Sequence, residues 1–491
     1  MKKNFHTLIL HFCCLLPALF FFSGCANKNI SIEEQLNAAC YPEDVGKIFT
    51  EKCATAGCHN TQSKDGAAGL DMSSWNSLFN GARNGPAVIP YNSHLSYLVS
   101  FINTFPDLDS MKLPTMPNNS TPLSRNEVLT VINWINDGAP DCNGHRLTDN
   151  PDRKKFYITN QSCDLVSVWD ADKKVIMKYI TVGGNPNTIE NPHKVGISPD
   201  GKYWYLSFTG LSARHFQKYR TSDDSFVGQV DIGAGRSLNT FAFTSDSKWA
   251  YIPDFNNNSI VVVDCETMTL RHDNFLQINP FFPGNDFINP HGSFISPDDH
   301  YLYVTMQQAN YLYKIDLTGP IPDGFALPAF PMPSLHPHEI AFSPDGILYF
   351  VTCEASNDVL VYRVSDDAYL KSISVAGDPV EMAFSNSTDY LFVSCLTGNA
   401  VSIINYKNTT LVNTLSDVGF AEPHGIVVDD DKGLCYVVSR NRPGSGPPPH
   451  HTSYCGGRNG FMNAIDIHTL KIIPGFTPEL SVDPYSITIR K

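Results

Sequence analysis

Apolar residues follow three different patterns along this chain of 491 residues. Near the start, a mostly apolar run extends from Leu8 to Phe22. Two later stretches, 44–58 and 124–137, place apolar residues three and four positions apart, which is the spacing of an amphipathic helix. Beyond these stretches, apolar and polar residues alternate in short runs between turn residues, and this pattern predicts β-strands. The chain therefore divides into a leader, a small helical region and a large β region.

The helical region is predicted to span residues 33–145. One apolar stripe predicts a helix over 44–58. A second stripe predicts a helix over 124–137, where Ser124 is placed as the N-cap and Glu127 follows three residues later, as in a capping box. The two stripes consist of Val45, Ile48 and Phe49, and of Val128, Val131, Ile132 and Ile135. Their spacing predicts two helices that pack through these faces.

The β region, residues 150–491, contains a repeat whose period of about 40 to 50 residues is typical of a propeller or solenoid. Copies begin at residues 191, 238, 289, 336, 378 and 422, as in "NPHKVGISPDGKYWYLSF" and "HPHEIAFSPDGILYFVTCEASNDVLVY". The first copy, from residue 155, lacks its opening strand, whereas "DPYSITI" from residue 483 is an opening strand alone. We expect the last strand to complete the first copy. Closure of this kind removes exposed sheet edges and gives seven blades of roughly four strands.

The helical region carries the motif Cys53-Ala-Thr-Ala-Gly-Cys58-His59. Two thiols followed by an imidazole are typical of a c-type haem site, where the cysteines bind the haem vinyl groups and the histidine binds the iron. The usual spacing is Cys-x-x-Cys-His, so this loop is two residues wider. Its small residues would allow the loop to bulge. A disulfide or half of a structural zinc site is the alternative.

A second iron ligand is predicted in the loop "LPTMPNN". Met116 places a thioether next to a proline that stiffens the backbone. A His/Met pair of iron ligands suits electron transfer and leaves no open position for substrate. Met111 or Met72 are alternative ligands, and a site with no sixth ligand is a further alternative.

The segments "IFTEKCATAGCHN", "AGLDMSSWNSLFNGARNGPAVIPYNSHLSYL", "LPTMPNN" and "LTVINWINDGAPDC" together resemble the cytochrome c domains of planctomycete and Bacteroidetes envelope proteins. The resemblance covers essentially the whole helical region. It implies an all-α domain with one haem c held by Cys53, Cys58 and His59, with Met116 opposite. The departure from the family pattern is the wider cysteine spacing.

The β repeats resemble the YVTN-type propeller repeat, and this resemblance covers nearly all of residues 150–491. It implies a seven-bladed β-propeller. A propeller fold does not specify a function, because propellers bind, catalyse or serve as scaffolds.

Four repeats carry a Pro-His pair at the same place, just before the predicted innermost strand. The histidines are His193, His291, His338 and His424, and the other three repeats have Asn239, Val380 and Tyr485 there. Imidazoles that converge on the channel axis would bind copper or another transition metal, a second haem or an anionic substrate. The alternative is that the rings pack in the channel as an ordinary feature of the repeat.

The remaining cysteines predict disulfides, because the leader described below indicates an oxidising compartment. Cys40 and Cys142 bracket the helical region and are one predicted pair. In the insertion 441–460, His450, His451 and Cys455 form a possible site for a soft metal, and a disulfide from Cys455 to Cys435 is the alternative. Cys353 and Cys395 are predicted to be buried thiols.

The leader consists of Lys2 and Lys3, the apolar run and a stretch of small residues, which is typical of a secretion signal over residues 1–24. Its end, Phe22-Ser-Gly-Cys25, resembles a bacterial lipobox, which implies lipidation at Cys25 and a polar tether over 25–32. A transmembrane anchor is the alternative, but the run is short and interrupted by His11. These features predict an exported protein, lipid-anchored in the bacterial cell envelope.

Three functions remain open from the sequence. The first is a c-type cytochrome of the envelope that transfers electrons to a redox partner protein, with the propeller as a docking platform. The second is an oxidoreductase whose metal or cofactor site lies at the His-lined channel and receives electrons from the haem. The third is a surface binding module without catalysis. Nucleic acid is not an expected partner, because the net charge is −14 and phosphate binding requires a basic face.

Overall fold

The computed structural model of the protein describes residues 39–83, 85–275, 288–318, 325–326, 330–450 and 453–490. The predicted signal peptide, the tether with Cys25, and His451 lie outside these ranges. Within the described ranges, no helix is long and apolar enough to cross a membrane.

Four α-helices precede the strands in the part of the chain that the structure describes. They are α1 (Glu43–Lys52), α2 (Trp75–Leu78), α3 (Tyr97–Ile102) and α4 (Arg125–Asn136). Short 3-10 helices lie at Lys64–Gly66, at Leu147–Asp149 and, after the first strand, at Gln161–Cys163. The capping box of α4 is confirmed, because Ser124 Oγ accepts from the Glu127 N–H and the Glu127 carboxylate accepts from the Ser124 N–H. The prediction that the first helix continues to residue 58 was wrong. Helix α1 ends at Lys52, and Gly57 has a φ of 82°, a backbone conformation that ends helical geometry and favours glycine.

The described strands form seven antiparallel sheets, each called a blade here. Blade 1 begins with β1 (Lys155–Asn160), β2 (Leu165–Asp170) and β3 (Val175–Thr181). Blade 2 has β4 (Pro192–Ile197), β5 (Tyr203–Phe208), β6 (His215–Arg220) and β7 (Phe226–Asp231). Blade 3 has β8 (Ala242–Phe243), β9 (Trp249–Asp254), β10 (Ser259–Asp264) and β11 (Thr269–Phe275). Blade 4 has β12 (Pro290–Ile295), β13 (Tyr301–Met306), β14 (Tyr311–Asp316), β15 (Phe325–Ala326) and β16 (Phe330–Pro331).

The remaining blades follow in chain order. Blade 5 has β17 (Pro337–Phe342), β18 (Leu348–Cys353), β19 (Asp358–Arg363) and β20 (Tyr369–Ser374). Blade 6 has β21 (Pro379–Phe384), β22 (Tyr390–Cys395), β23 (Ala400–Asn405) and β24 (Thr410–Ser416). Blade 7 has β25 (Pro423–Asp429), β26 (Leu434–Ser439), β27 (Asn459–Asp466), β28 (Lys471–Ile472) and β29 (Glu479–Val482), and β30 (Pro484–Arg490) is the last strand.

The last strand closes the ring. Strand β30 pairs antiparallel with β1, with Lys155 opposite Arg490 and Ile158 opposite Ile487, so blade 1 has the order β3-β2-β1-β30. The chain thus folds into a seven-bladed β-propeller in which the C-terminal strand supplies the missing inner strand of the first blade. The closure predicted from the unpaired "DPYSITI" segment is confirmed.

Apolar residues fill the spaces between neighbouring blades. One cluster combines Tyr205 and Phe216 of blade 2 with Ile252 and Val261 of blade 3. Another cluster joins the helical region to blades 1 and 2, since its buried members include residues of α1 and α4 together with Val166, Met177 and Trp204. Burial of side chains of this size stabilises the fold by ~1.5–3 kcal/mol each. The helical region therefore packs directly on the propeller.

Two disulfides are present among the described cysteines. The predicted Cys40–Cys142 pair is confirmed. The predicted Cys435–Cys455 pair was wrong, because Cys455 is bonded to Cys163. Cys435 lies in β26 and is fully buried among the apolar side chains between blades 6 and 7. Cys353 and Cys395 are buried free thiols, as predicted.

Candidate functional site

The Cys53–His59 loop follows directly from the end of α1. The N–H of Cys53 still donates to the Phe49 carbonyl oxygen at 3.0 Å, as the last turn of the helix. The chain then folds back, so that the His59 N–H donates to the Cys53 carbonyl oxygen at 3.1 Å. A compact turn therefore brings both cysteines and the histidine to one end of α1.

Both cysteines of this loop are free thiols. Cys53 is buried and Cys58 is exposed. Burial, with a smaller contribution from the neighbouring Cys58, raises the pKa of Cys53 to about 12. The loop thus holds two free thiols of different exposure, whereas Cys40 and Cys142 of the helical region have formed a disulfide.

His59 is half-buried beside these thiols. Burial lowers its pKa below 6.5, although the backbone carbonyl oxygens of Leu70 and Ala67, which accept from the ring, oppose that shift. Its Nδ1 atom is buried without a hydrogen-bond partner among the described residues. A neutral imidazole with an unpartnered nitrogen offers the lone pair that a metal requires. The donor set of two thiols and this imidazole therefore fits haem c.

The three candidate methionines occupy different environments. Met116 is half-buried and packs against the apolar core that also contacts Ala54, and its N–H donates to the Phe101 carbonyl oxygen at 2.8 Å. Met111 is 50% exposed. Met72 lies in the core, and its N–H donates to the His59 carbonyl oxygen at 2.8 Å. Met116 alone combines partial access with contact to the core that supports the Cys53–His59 loop.

The four propeller histidines lie at the second residue of their inner strands, one position inside the strand rather than before it as the sequence predicted. Their rings and the ring of Tyr485 in β30 lie next to one another in a circle, which is called the channel ring here. The distances between ring centroids are 3.8 Å for His291–His338, 6.0 Å for His338–His424, 3.6 Å for His424–Tyr485, 4.2 Å for Tyr485–His193 and 6.2 Å for His193–His291. The structure therefore brings all four histidines together near the propeller axis.

Burial is the main cause of the lowered pKa values of the channel-ring histidines. It holds the pKa values of His193, His291 and His424 well below 6.5 and lowers that of His338 to about 3. The Gln161 amide donates to Nδ1 of His193 at 2.6 Å, which also requires the neutral form of that ring. At neutral pH the ring therefore presents uncharged imidazoles.

Charged side chains accompany the channel ring, each from the residue that follows a ring position. The Lys194 ammonium pairs with Glu381 at 2.9 Å. Burial, together with the charge of Glu381, raises the pKa of Glu339 to about 7, against the opposing effect of Lys194. One potential ligand atom each of His291, His338 and Glu339 lie within 4.8 Å of one another. Sequence reasoning missed Glu339.

Hydroxyl groups fix the backbone of the ring positions. In five blades, a serine or threonine on the strand next to the inner one donates to the backbone carbonyl of the ring position in the following blade. The pairs are Thr159–His193 at 3.1 Å, Ser207–Asn239 at 2.7 Å, Thr305–His338 at 2.8 Å, Thr352–Val380 at 2.8 Å and Ser394–His424 at 2.5 Å. The fixed place of these hydroxyls in the repeat, as in "YVTM" and "FVSC", is a sequence signal that could have predicted them.

The insertion 441–460 connects the propeller to the helical region. The Tyr97 hydroxyl and the Lys112 ammonium both donate to the His450 carbonyl oxygen, at 2.5 and 3.1 Å. Cys455 is held in the disulfide to Cys163, so its thiol is not available as a ligand. The soft-metal site considered for this insertion therefore lacks its sulfur ligand.

A short stretch of the chain is similar to a curated protein. No protein-family model matches the chain. Antigen Lp49 of Leptospira interrogans (serogroup Icterohaemorrhagiae, serovar copenhageni, strain Fiocruz L1-130) is 36% identical over 73 residues, which is 15% of this chain and 14% of that protein. The match thus spans about a seventh of the length of this curated relative.

Among solved structures, a functionally unknown protein from Desulfotomaculum acetoxidans DSM 771 is similar over 68% of this chain and 98% of its own, with a TM-score of 0.50 and 14% identity. "Dihydro-heme d1 dehydrogenase NirN in complex with DHE" is similar over 91% of this chain and 98% of its own, with a TM-score of 0.48 and 12% identity, too low a score to carry an argument. At 14% identity the similarity to the Desulfotomaculum protein concerns the fold alone.

Proposed function

We propose that this protein is a c-type cytochrome of the bacterial cell envelope, lipid-anchored through Cys25, that transfers electrons to a redox partner protein. The observation that carries the proposal is the free pair Cys53 and Cys58 in a turn that ends at His59. The partly exposed turn leaves both thiols unpaired next to an imidazole with an unpartnered buried nitrogen. A structural disulfide would have joined the thiols.

Four residues of the helical region would hold the haem in this proposal. Cys53 and Cys58 would attach haem c through thioether bonds, which supplies a one-electron carrier. His59 would be an iron ligand, its backbone held by hydrogen bonds to Cys53 and Met72. Met116 would be a second iron ligand, its backbone held by the hydrogen bond to the Phe101 carbonyl oxygen. The buried faces of α1 and α4 belong to the same apolar core as Cys53.

The propeller serves in this proposal as the docking platform. Its support is the contact of the insertion with the loop that carries Met116. Lys112, four residues before Met116, donates to the His450 carbonyl oxygen, and its ammonium lies 4.4 Å from the centroid of the Tyr97 ring. A partner bound to the insertion would therefore act on the segment that holds the proposed second ligand.

The test is haem attachment to the mature chain in cells that carry a cytochrome c maturation system. A pyridine haemochrome spectrum should show one haem per chain, and Cys53→Ala together with Cys58→Ala should abolish it. Met116→Ala should remove the thioether-to-iron charge-transfer band, whereas Met111→Ala, a change at an exposed methionine of the same loop, should retain it. A wild-type chain without covalent haem would refute the proposal, and a band that survives Met116→Ala would refute the ligand assignment.

A further inference from the structure

We infer that His291, His338 and Glu339 form a binding site for a divalent first-row transition-metal ion near the propeller axis. The site shares no residue with the proposed haem site and does not depend on it. Potential ligand atoms of the three side chains lie within 4.8 Å of one another. Ligand atoms of a tetrahedral zinc site are about 3.5 Å apart, given bond lengths of about 2.0–2.2 Å. A small rotation of the side chains is therefore enough to bring all three into contact with one ion.

An oxygen atom lies against one nitrogen of each imidazole, the arrangement in which metal-binding histidines are usually held. A histidine that binds a metal donates its other ring N–H to a carbonyl or carboxylate oxygen, which fixes the ring and its tautomer. Nδ1 of His291 lies 3.3 Å from the His338 carbonyl oxygen. Nε2 of His338 lies 3.3 Å from Glu354 Oε1, and the other Glu354 oxygen accepts from the Gln307 amide at 2.7 Å. These contacts make Nε2 of His291 and Nδ1 of His338 the candidate ligand atoms of the proposed site.

Two of the proposed ligand atoms are buried without a partner. Nδ1 of His338 and Oε1 of Glu339 make no hydrogen bond of ordinary geometry among the described residues, although the Val380 carbonyl oxygen approaches the His338 ring. His338 is only 3% exposed. Buried polar atoms in folded proteins nearly always have a partner, so an unsatisfied pair at one place requires an explanation. A bound cation satisfies both atoms at once.

The donor set and the local charge indicate the class of ion. Two imidazoles and one carboxylate suit zinc, iron(II) and similar divalent ions, and three protein ligands leave a position open for water or substrate. Glu339, Glu354, Glu381 and Asp483 place four carboxylates near the ring, whereas Lys194 and Arg440 are cations there. When these groups are ionised, their excess negative charge favours a divalent cation.

The site can be tested with zinc alone. Purified mature protein, stripped with a chelator, equilibrated with Zn²⁺ and passed through a desalting column, should retain one zinc per chain by elemental analysis. His338→Ala and Glu339→Gln should each weaken zinc binding at least tenfold. Glu354→Gln, which changes only the group that orients His338, should weaken it by roughly 10–100-fold. His193→Asn is the matched control, because it removes a ring histidine outside the trio and introduces the residue found at position 239.

Each outcome decides the proposal. Failure of the wild-type protein to retain zinc would overturn it, as would equal losses from His193→Asn and His338→Ala. The double variant Cys53→Ala, Cys58→Ala should bind zinc as the wild type does, and loss of zinc there would assign the metal to the Cys53–His59 loop instead. If the ligand variants do not fold, Co²⁺ bound to this double variant still gives an answer, because visible bands typical of four-coordinate nitrogen and oxygen ligands support the site and a six-coordinate aqua spectrum refutes it.

Discussion

The ion pair between Lys155 and Asp224 lies in the interior, between blades 1 and 2. Each side chain is 1% exposed, and Lys155 Nζ lies 3.0 Å from Asp224 Oδ2. The Tyr157 hydroxyl also donates to Asp224, at 2.7 Å. We expect Asp224→Asn to lower the free energy of unfolding by ~3–5 kcal/mol, because a buried ammonium then loses its counter-charge. The loss in the free energy of unfolding cannot exceed ~5 kcal/mol at pH 7, which is the cost of removing the proton from a lysine with an ordinary pKa of about 10.4.

The repeat provides two matched positions of greater exposure. Asp367 of blade 5 accepts from Lys314 at 2.8 Å, and its side chain is 21% exposed. Asp366 pairs with Arg363 at 3.3 Å, and its side chain is 52% exposed. Asp366→Asn should cost ~0–1 kcal/mol, as for a surface pair. Asp367→Asn should give an intermediate loss.

Urea unfolding of the three variants, followed by far-UV circular dichroism, measures this order directly. The second substitution Lys155→Met should restore most of the loss in Asp224→Asn, because it removes the buried ammonium, and Lys178, the other partner of Asp224 at 3.3 Å, is 19% exposed. Equal losses at the three aspartates, or no loss at Asp224, would refute the reasoning from burial.

Two further predictions concern the channel ring and the cysteines. In metal-free protein, stability should fall below pH 6.5, since burial keeps His193 neutral in the fold while the unfolded chain takes up its proton. His193→Asn should flatten this fall by up to ~1.4 kcal/mol per pH unit, as measured by urea unfolding between about pH 6.5 and pH 5, and parallel curves would contradict the assigned shift. In urea without reductant, a thiol reagent should label Cys435, whereas Cys163 and Cys455 should react only after reduction; labelling of Cys455 before reduction would contradict the disulfide.

The propeller was predictable because the local sequence of each repeat is enough to identify its strands and turns. The Ser-Pro-Asp-Gly turns and the alternation between them specify each blade, and the unpaired "DPYSITI" segment specifies the closure. The Cys163–Cys455 disulfide was not predictable from the sequence. Cys435 is near Cys455 in sequence, whereas Cys163 comes near Cys455 only when the ring of blades closes. The end of α1 was misplaced because its apolar stripe stops at Phe49 and carries no information beyond it.

The part of the channel site that the sequence missed depends on an irregular strand. Regular alternation would place His338 and Glu339 on opposite faces of β17. The register of β17 shifts between Pro337 and Ile340, and such a bulge re-aims side chains. Both residues thereby contribute to one cluster with His291. Periodicity alone gives no warning of a bulge, although the recurring Pro-His pair marks its place.

The pairing of β30 with β1 makes the length of the chain a condition for folding. A nascent chain can form blades 2 to 7 in order, but blade 1 keeps an open inner edge until Pro484–Arg490 leaves the ribosome. A product truncated anywhere before this strand also lacks Tyr485, which completes the channel ring. Such a product presents a bare strand edge, the feature by which incomplete chains aggregate or are degraded. Without this seven-residue strand, blade 1 therefore keeps an unpaired inner edge.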